Sequence, residues 1–229
     1  QSFFREEFLN PIEKKGDAEK SKKLYTLIKP FILRRQKTQV AKDLPEKIES
    51  VRYCHMDAEQ EKLYEETKSY FRNKILEIET EGSAVAQQQI MLLQGLTKLR
   101  QIANHPGMVD ENYEGGSGKL EDVTYMLEEA ISENHKVLVF SQFVKHLNIF
   151  RGYLDSKNIS YAYLDGSTRD RQEQVKDFQQ SDDIKIFLIS LKAGGVGLNL
   201  TAADYVFILD PWWNPAAEAQ AVDRAHRIG

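Results

Sequence analysis

Four short apolar runs, "KVLVFS", "ISYAYL", "IKIFLIS" and "DYVFILD", stand in the second half of the chain, separated by stretches of helix length. The intervening pieces "QFVKHLNIFRGYLDSKN", "TRDRQEQVKDFQQS" and "LKAGGVGLNLTAA" read as amphipathic or small-residue helices. Apolar runs that alternate with helices predict a parallel sheet covered on both faces. Ligands of such sheets lie beyond the carboxyl ends of the strands. The loops after Phe140, Leu164, Ile189 and Leu209 are therefore where function is expected.

The first half follows a different period. In "EKLYEETKSYFRNKILEIET", Leu63, Thr67, Phe71, Ile75 and Ile78 recur near one face of a helix. In "QQQIMLLQGLTKLRQIANHPGM" the corresponding set is Leu92, Leu96, Leu99 and Ala103, and Pro106 with Gly107 ends the pattern. Gly82 separates the two, so an antiparallel helical pair is expected. Upstream, "IKPFILRRQKTQVAKDLPEK" is basic and broken by Pro30 and Pro45, like a connecting segment. The stretch "ENYEGGSGKL" reads as a linker. It fails as a phosphate loop, because Leu120 follows Lys119, Tyr113 stands where the first glycine belongs, and no strand leads in. Three regions result: a basic connecting segment at 1–56, a helical insertion with its linker at 57–116, and the α/β lobe at 117–229.

Charge is unevenly spread. The whole chain carries −4, yet from Lys14 to Arg52 twelve Lys and Arg face five Asp and Glu. That segment is either a solvated helical face or a phosphate-facing one. Cys54 is the only cysteine, so no internal disulfide forms, and a reducing intracellular compartment is expected. The five histidines lack ligand spacing, so no structural metal is expected. No apolar run approaches a membrane span, and "QSFFREEFLN" has no signal-peptide order. Without an initiator Met, Gln1 is expected to begin an excerpt.

Each strand end offers polar groups. Ser141 can cap the following helix. In "LDGSTRDRQEQ", Gly166 permits close backbone approach, and Ser167 or Thr168 opens a helix whose free N–H groups would seat a phosphate or simply be capped. In "ISLKAGGVGLNLTAA" the glycines do not complete a dinucleotide fingerprint, since Leu200 holds the third position. Lys192 beside bare backbone suits a phosphodiester better. After the last strand, "LDPWWNP" is either a hydrophobic plug or an exposed aromatic pair, and Asn214-Pro215 starts a helix. Arg224 and Arg227 are three apart on that helix, with Gln220 one turn earlier, so two guanidiniums leave one face. They are either surface ion pairs or an anion site.

These residues carry a resemblance. "LVFSQF", "LDGSTRDRQEQVKDF", "ISLKAGGVGLNLTAADYVFILDPWWNP" and "QAVDRAHRIG" follow in the order of the carboxy-terminal helicase lobe of Swi/Snf-type ATPases, in helicase superfamily two. "PFILRRQKTQVAKDLPEK" and "LTKLRQIANHP" resemble the segments joining the two lobes of that branch. "DPWWNP" separates it from the RNA helicases. The resemblance implies a RecA-like parallel sheet with helices on both faces, preceded by a helical segment. It implies that Arg224 and Arg227 are arginine fingers to the γ-phosphate of ATP, with Gln220 and Gly197 beside the nucleotide. Ser141, Gly166, Ser167, Thr168, Lys192, Ala193 and Gly194 would lie along the DNA backbone, and Trp212 and Trp213 would couple nucleotide state to DNA grip. ATP and Mg²⁺ would be held mainly by a first RecA-like lobe, of which no phosphate loop or Asp-Glu-x-His stretch occurs here. The implied partners are double-stranded DNA and that first lobe, with chromatin or RNA polymerase as the assemblies acted upon. No membrane is involved, and the place is the cytoplasm, nucleoid or nucleus. The isolated chain is expected to be inactive as an ATPase. The rival reading is a free-standing nucleic-acid binding or docking module.

Overall fold

The computed structural model describes residues 2–31, 48–80, 85–193, 198–211 and 215–223. The chain divides into two compact units, 1–45 and 46–229. The first is helical where described: α1 (Ser2–Phe4), a π-turn at Arg5–Leu9, α2 (Asn10–Lys15), α3 (Ala18–Ile28) and a 3₁₀ turn at Lys29–Phe31. Gly16, at φ 62°, closes α2 in the left-handed conformation that glycine adopts without penalty. Asp17 then caps α3, its Oδ1 accepting the N–H groups of Glu19 and Lys20 at 3.1 and 3.0 Å.

The second unit opens with the helical pair, α4 (Ala58–Thr80) and α5 (Val85–Asn104). Gln60 Nε2 donates to the Ile102 carbonyl at 2.8 Å, so the start of one helix meets the end of the other and the pair is antiparallel. Leu63, Thr67, Phe71, Ile75 and Ile78 are all buried or half-buried, as their spacing predicts. The expected face of α5 is met in part, since Leu99 and Ala103 are half-buried. Leu92 and Leu96 are exposed, and Gly95 and Ile102 are buried instead. The cause is Gly95: a Cβ there would lie 2.9 Å from Phe71 Cγ. The missing side chain admits the phenyl ring and turns that face inward.

The sheet follows in the order β2-β3-β1-β4, all parallel, built from β1 (Val137–Ser141), β2 (Tyr161–Leu164), β3 (Ile186–Ser190) and β4 (Tyr205–Ile208). The two central strands are buried throughout, which is why they read as unbroken apolar runs. Alternate residues face opposite sides. Val137, Val139, Ile186 and Leu188 pack with Val123, Leu127, Leu147, Phe150 and Leu154, from α6 (Gly118–Ser132) and α7 (Val144–Ser156). Leu138, Phe140, Phe187 and Ile189 pack with Phe178 of α8 (Arg171–Gln180) and with Leu200. A last helix, α9 (Pro215–Val222), follows β4.

Two expectations are corrected here. "GGSGKL" is not linker throughout. Ser117 is the buried N-cap of α6, its Oγ accepting the Leu120 N–H at 3.1 Å, and Lys119 lies in the first turn. Between β3 and β4 the described residues form no helix. Leu191–Ala193 is a turn, and 198–203 covers the sheet as irregular chain with Leu200 as its plug.

Candidate functional site

The carboxyl ends of the four strands form one edge, and a carboxylate organises each flank of it. On the β2 side this is Asp165. Its Oδ1 accepts the Ser167 N–H at 2.8 Å, the Ser167 hydroxyl at 2.7 Å, the Thr168 N–H at 3.1 Å and the Thr168 hydroxyl at 3.3 Å. Its Oδ2 accepts the Tyr163 hydroxyl at 2.9 Å. The Ser167 hydroxyl foremost, then its N–H, Tyr163 and Thr168, against the opposing effect of burial, hold the Asp165 carboxyl down at about 2. Burial and the bond to Asp165 push the Tyr163 phenol up to about 12. The Arg151 guanidinium lies over the Tyr163 ring, 4.4 Å from its centroid.

The loop therefore differs from the expected phosphate seat. The helix does not open at Ser167 or Thr168 but at Arg171. Both hydroxyls turn inward to Asp165. Gly166 at the tip is exposed, and the space around a Cβ built on it is empty to 4 Å. Across the edge Lys192 is exposed, whereas Ala193 is buried, its N–H bonded to the Ser190 carbonyl at 2.9 Å.

On the β4 side the exits of β1 and β4 are closed by Asp210. Ser141 Oγ donates to Asp210 Oδ1 at 2.5 Å, and the Gln142 N–H donates to Oδ2 at 2.9 Å. Ser141, Asp210 and His146 are all buried. Ser141 is thus an internal partner of Asp210, and its Oγ accepts the Phe143 N–H at 3.0 Å just before α7. Burial would raise the Asp210 carboxyl, but His146, Ser141 and the Gln142 N–H hold it below the ordinary range. Burial lowers His146 against the pull of Asp210, whose Oδ1 is 3.7 Å from Nδ1.

Two cations reach the same exit from the helical region. Lys119 Nζ donates to the Leu209 carbonyl at 3.0 Å and to Asn104 Oδ1 at 2.7 Å. The Arg100 guanidinium donates to the Pro211 carbonyl and, at 3.5 Å, to Gln142 Oε1, over the Phe143 ring. Sequence reasoning passed over Asp165, Asp210, Lys119 and Arg100. Both aspartates directly follow an apolar strand, where a buried carboxylate must find donors, and that was a legible signal. The two cations carry no local signal, since their partners are main-chain carbonyls far along the chain.

Gly194, Gly197, Trp212, Trp213, Arg224 and Arg227 lie outside the described residues, as does the side chain of Gln220, whose backbone is in α9. Among the described residues no group of three or more His, Cys, Asp or Glu is arranged to hold a metal ion.

Comparison with known proteins accords with this architecture. The helicase conserved C-terminal domain matches residues 118–229, and the SNF2-related domain matches residues 1–108. The C-terminal domain of the Sulfolobus solfataricus SWI2/SNF2 ATPase is 32% identical with a TM-score of 0.67, over 75% of each chain. The SWI2/SNF2 ATPase core of the same organism, solved in complex with double-stranded DNA, is 34% identical with a TM-score of 0.69, covering 99% of this chain and 48% of that one. Among curated relatives, the Mus musculus chromodomain-helicase-DNA-binding protein 1-like is 39% identical, covering 99% of this chain and 26% of the mouse protein. The chain spans from about a fifth to under a third of the length of the first curated relatives it matches. With its parallel sheet, its helical preface and these matches, the chain belongs to the Swi/Snf-type ATPases of helicase superfamily two, as their carboxy-terminal, RecA-like lobe.

Proposed function

We propose that this chain is the second motor lobe of an ATP-dependent translocase on double-stranded DNA. One observation carries the reading: a fold shared over nearly the whole chain with an ATPase core solved on double-stranded DNA. In this reading ATP and Mg²⁺ sit on a first lobe, and ATP supplies the free energy through transfer of its γ-phosphoryl group to water. Arg224 and Arg227 stabilise the negative charge that develops there, with Gln220 and Gly197 alongside. Placing the cations on a separate lobe makes hydrolysis depend on closure, and DNA bound to both lobes biases closure.

The DNA backbone runs along the strand-end edge. In this reading it meets main chain and one point charge. Ser167 and Thr168 give their hydroxyl protons to Asp165, so the loop offers DNA its exposed Gly166 backbone, and Lys192 supplies the point charge. Ala193 and Gly194 contribute main chain only, and Ser141 acts from inside through Asp210. Trp212 and Trp213 follow that exit and couple the two sites. Chromatin or RNA polymerase, in the nucleus, nucleoid or cytoplasm, are the assemblies such a motor would act on.

The test is Arg227→Ala in a chain that also carries the first lobe. Nucleotide affinity should stay close to that of the parent, while DNA-stimulated hydrolysis falls by about 10³-fold or more. Arg227→Lys should not restore it, because an ammonium cannot reproduce the planar fork. Parental turnover in Arg227→Ala would mean that the two arginines are surface ion-pair partners.

A further inference from the structure

The exit of β4 is held in an unusual way. Leu209, Asp210 and Pro211 are consecutive, and each is fixed by a different element. The Leu209 N–H continues the ladder to the Phe140 carbonyl at 3.0 Å, while its carbonyl accepts from Lys119 at the start of α6. Asp210 is taken by Ser141 and Gln142 at the end of β1. The Pro211 carbonyl accepts from Arg100 on α5. Strand exits usually run into mobile loops. This one is clamped at three successive residues, and two of the clamps are cations whose own elements precede the sheet.

Arg100 does more than cap a carbonyl. Its fork spans from Gln142, at the end of β1, to Pro211, beyond β4, and those two strands are neighbours in the sheet. It therefore ties two adjacent strand exits to one helix. Lys119 repeats the tie, since its second partner, Asn104, is the last residue of α5. A shift of α5 along or across the sheet edge must displace Pro211 or break the Arg100 bonds. Nothing in catalysis or in DNA contact as read above uses either cation.

We propose that Arg100 and Lys119 are positioning residues that make the helical pair and the β4 exit a single mechanical piece, so that DNA-stimulated turnover requires both. They touch neither nucleotide nor DNA. They act by fixing where Leu209–Pro211 stands relative to the strand-end edge. The proposal rests on the reading of the chain as a motor lobe.

The experiment uses the full-length ATPase carrying Arg100→Ala, Arg100→Lys or Lys119→Met. For each, the thermal midpoint, the basal turnover, the turnover at saturating duplex DNA and the DNA concentration giving half-stimulation are measured. Misplacing the exit should lower maximal DNA-stimulated turnover on the order of 10- to 100-fold in Arg100→Ala. The half-stimulating DNA concentration should move far less, and the midpoint should show a folded protein. Arg100→Lys, which keeps the charge but not the fork, should fall between. Lys119→Met preserves side-chain length and should lose stimulation while folding normally, so the inference stays testable if Arg100→Ala folds poorly. Parental stimulation in folded variants, a loss that only tracks the folded fraction, or a change confined to half-stimulating DNA overturns the inference. Absence of DNA-stimulated turnover in the unmodified protein is a separate result, because it overturns the motor reading beneath it.

Discussion

Asp165 shows how much a single carboxylate does at a strand end. Five donor groups converge on it, and they keep it ionised down to about pH 2. A carboxyl lowered on folding stabilises the native state above its unfolded value, near pH 4, and that stability drains away as pH falls through the folded value. The shift is worth about 2 kcal/mol. Urea unfolding followed from pH 5 to pH 2 should show that loss in the parent, and Asp165→Asn should lack this part of the slope. Equal acid sensitivity in the two proteins would mean that the hydrogen bonds do not bias ionisation. His146 and Asp210 are also lowered on folding, so each adds a loss of the same sign as pH falls, and the comparison with Asp165→Asn is what isolates Asp165.

At the scale of elements, glycines report where helices sit. Gly118 opens α6 with no room for a side chain: a Cβ would lie 1.7 Å from the His55 carbonyl oxygen, a main-chain atom that cannot turn away. Gly152, in the body of α7, has nothing within 4 Å of that position and is exposed. The two substitutions to alanine should therefore have opposite signs. Gly118→Ala should destabilise by about 1–3 kcal/mol or more, because the helix start must move. Gly152→Ala should stabilise by about 0.5–1 kcal/mol through helix propensity alone. Thermal or chemical denaturation reads both. A stable Gly118→Ala protein would show that α6 can begin elsewhere.

For the molecule as a whole, the distribution of charge decides what binding by this chain alone should look like. The overall charge is −4, and the positive excess is concentrated between Lys14 and Arg52. Duplex DNA should bind weakly, through few phosphate contacts, and lose affinity about tenfold or more between 50 and 200 mM salt. Anisotropy titrations with labelled duplexes of unrelated sequence should superimpose. A strong preference for one sequence would count against a motor that follows the backbone, since base edges and not phosphates carry sequence.

The α/β class, the four strands and both members of the helical pair were legible because they depend on local period, and period survives in a bare string of residues. Val137–Phe140 and Ile186–Ile189 read as unbroken apolar runs because both are buried on both faces. The packed face of α5 was misread because Gly95 registers as an absence in a hydrophobic pattern, while in three dimensions it is the hole that Phe71 fills. The phosphate-seat reading of "LDGST" did not foresee the inward turn of Ser167 and Thr168, which depends on Asp165 accepting hydrogen bonds from both hydroxyls. The linker reading ran too far, over Lys119, because the ammonium's partners, Asn104 and Leu209, are 15 and 90 positions away. Sequence determines which segments can become strand or helix, since that is a matter of neighbours two to four residues apart. Which carbonyl a half-buried cation pairs with is decided only when distant segments close around it, because the cost of leaving it unpaired arises only as water is displaced.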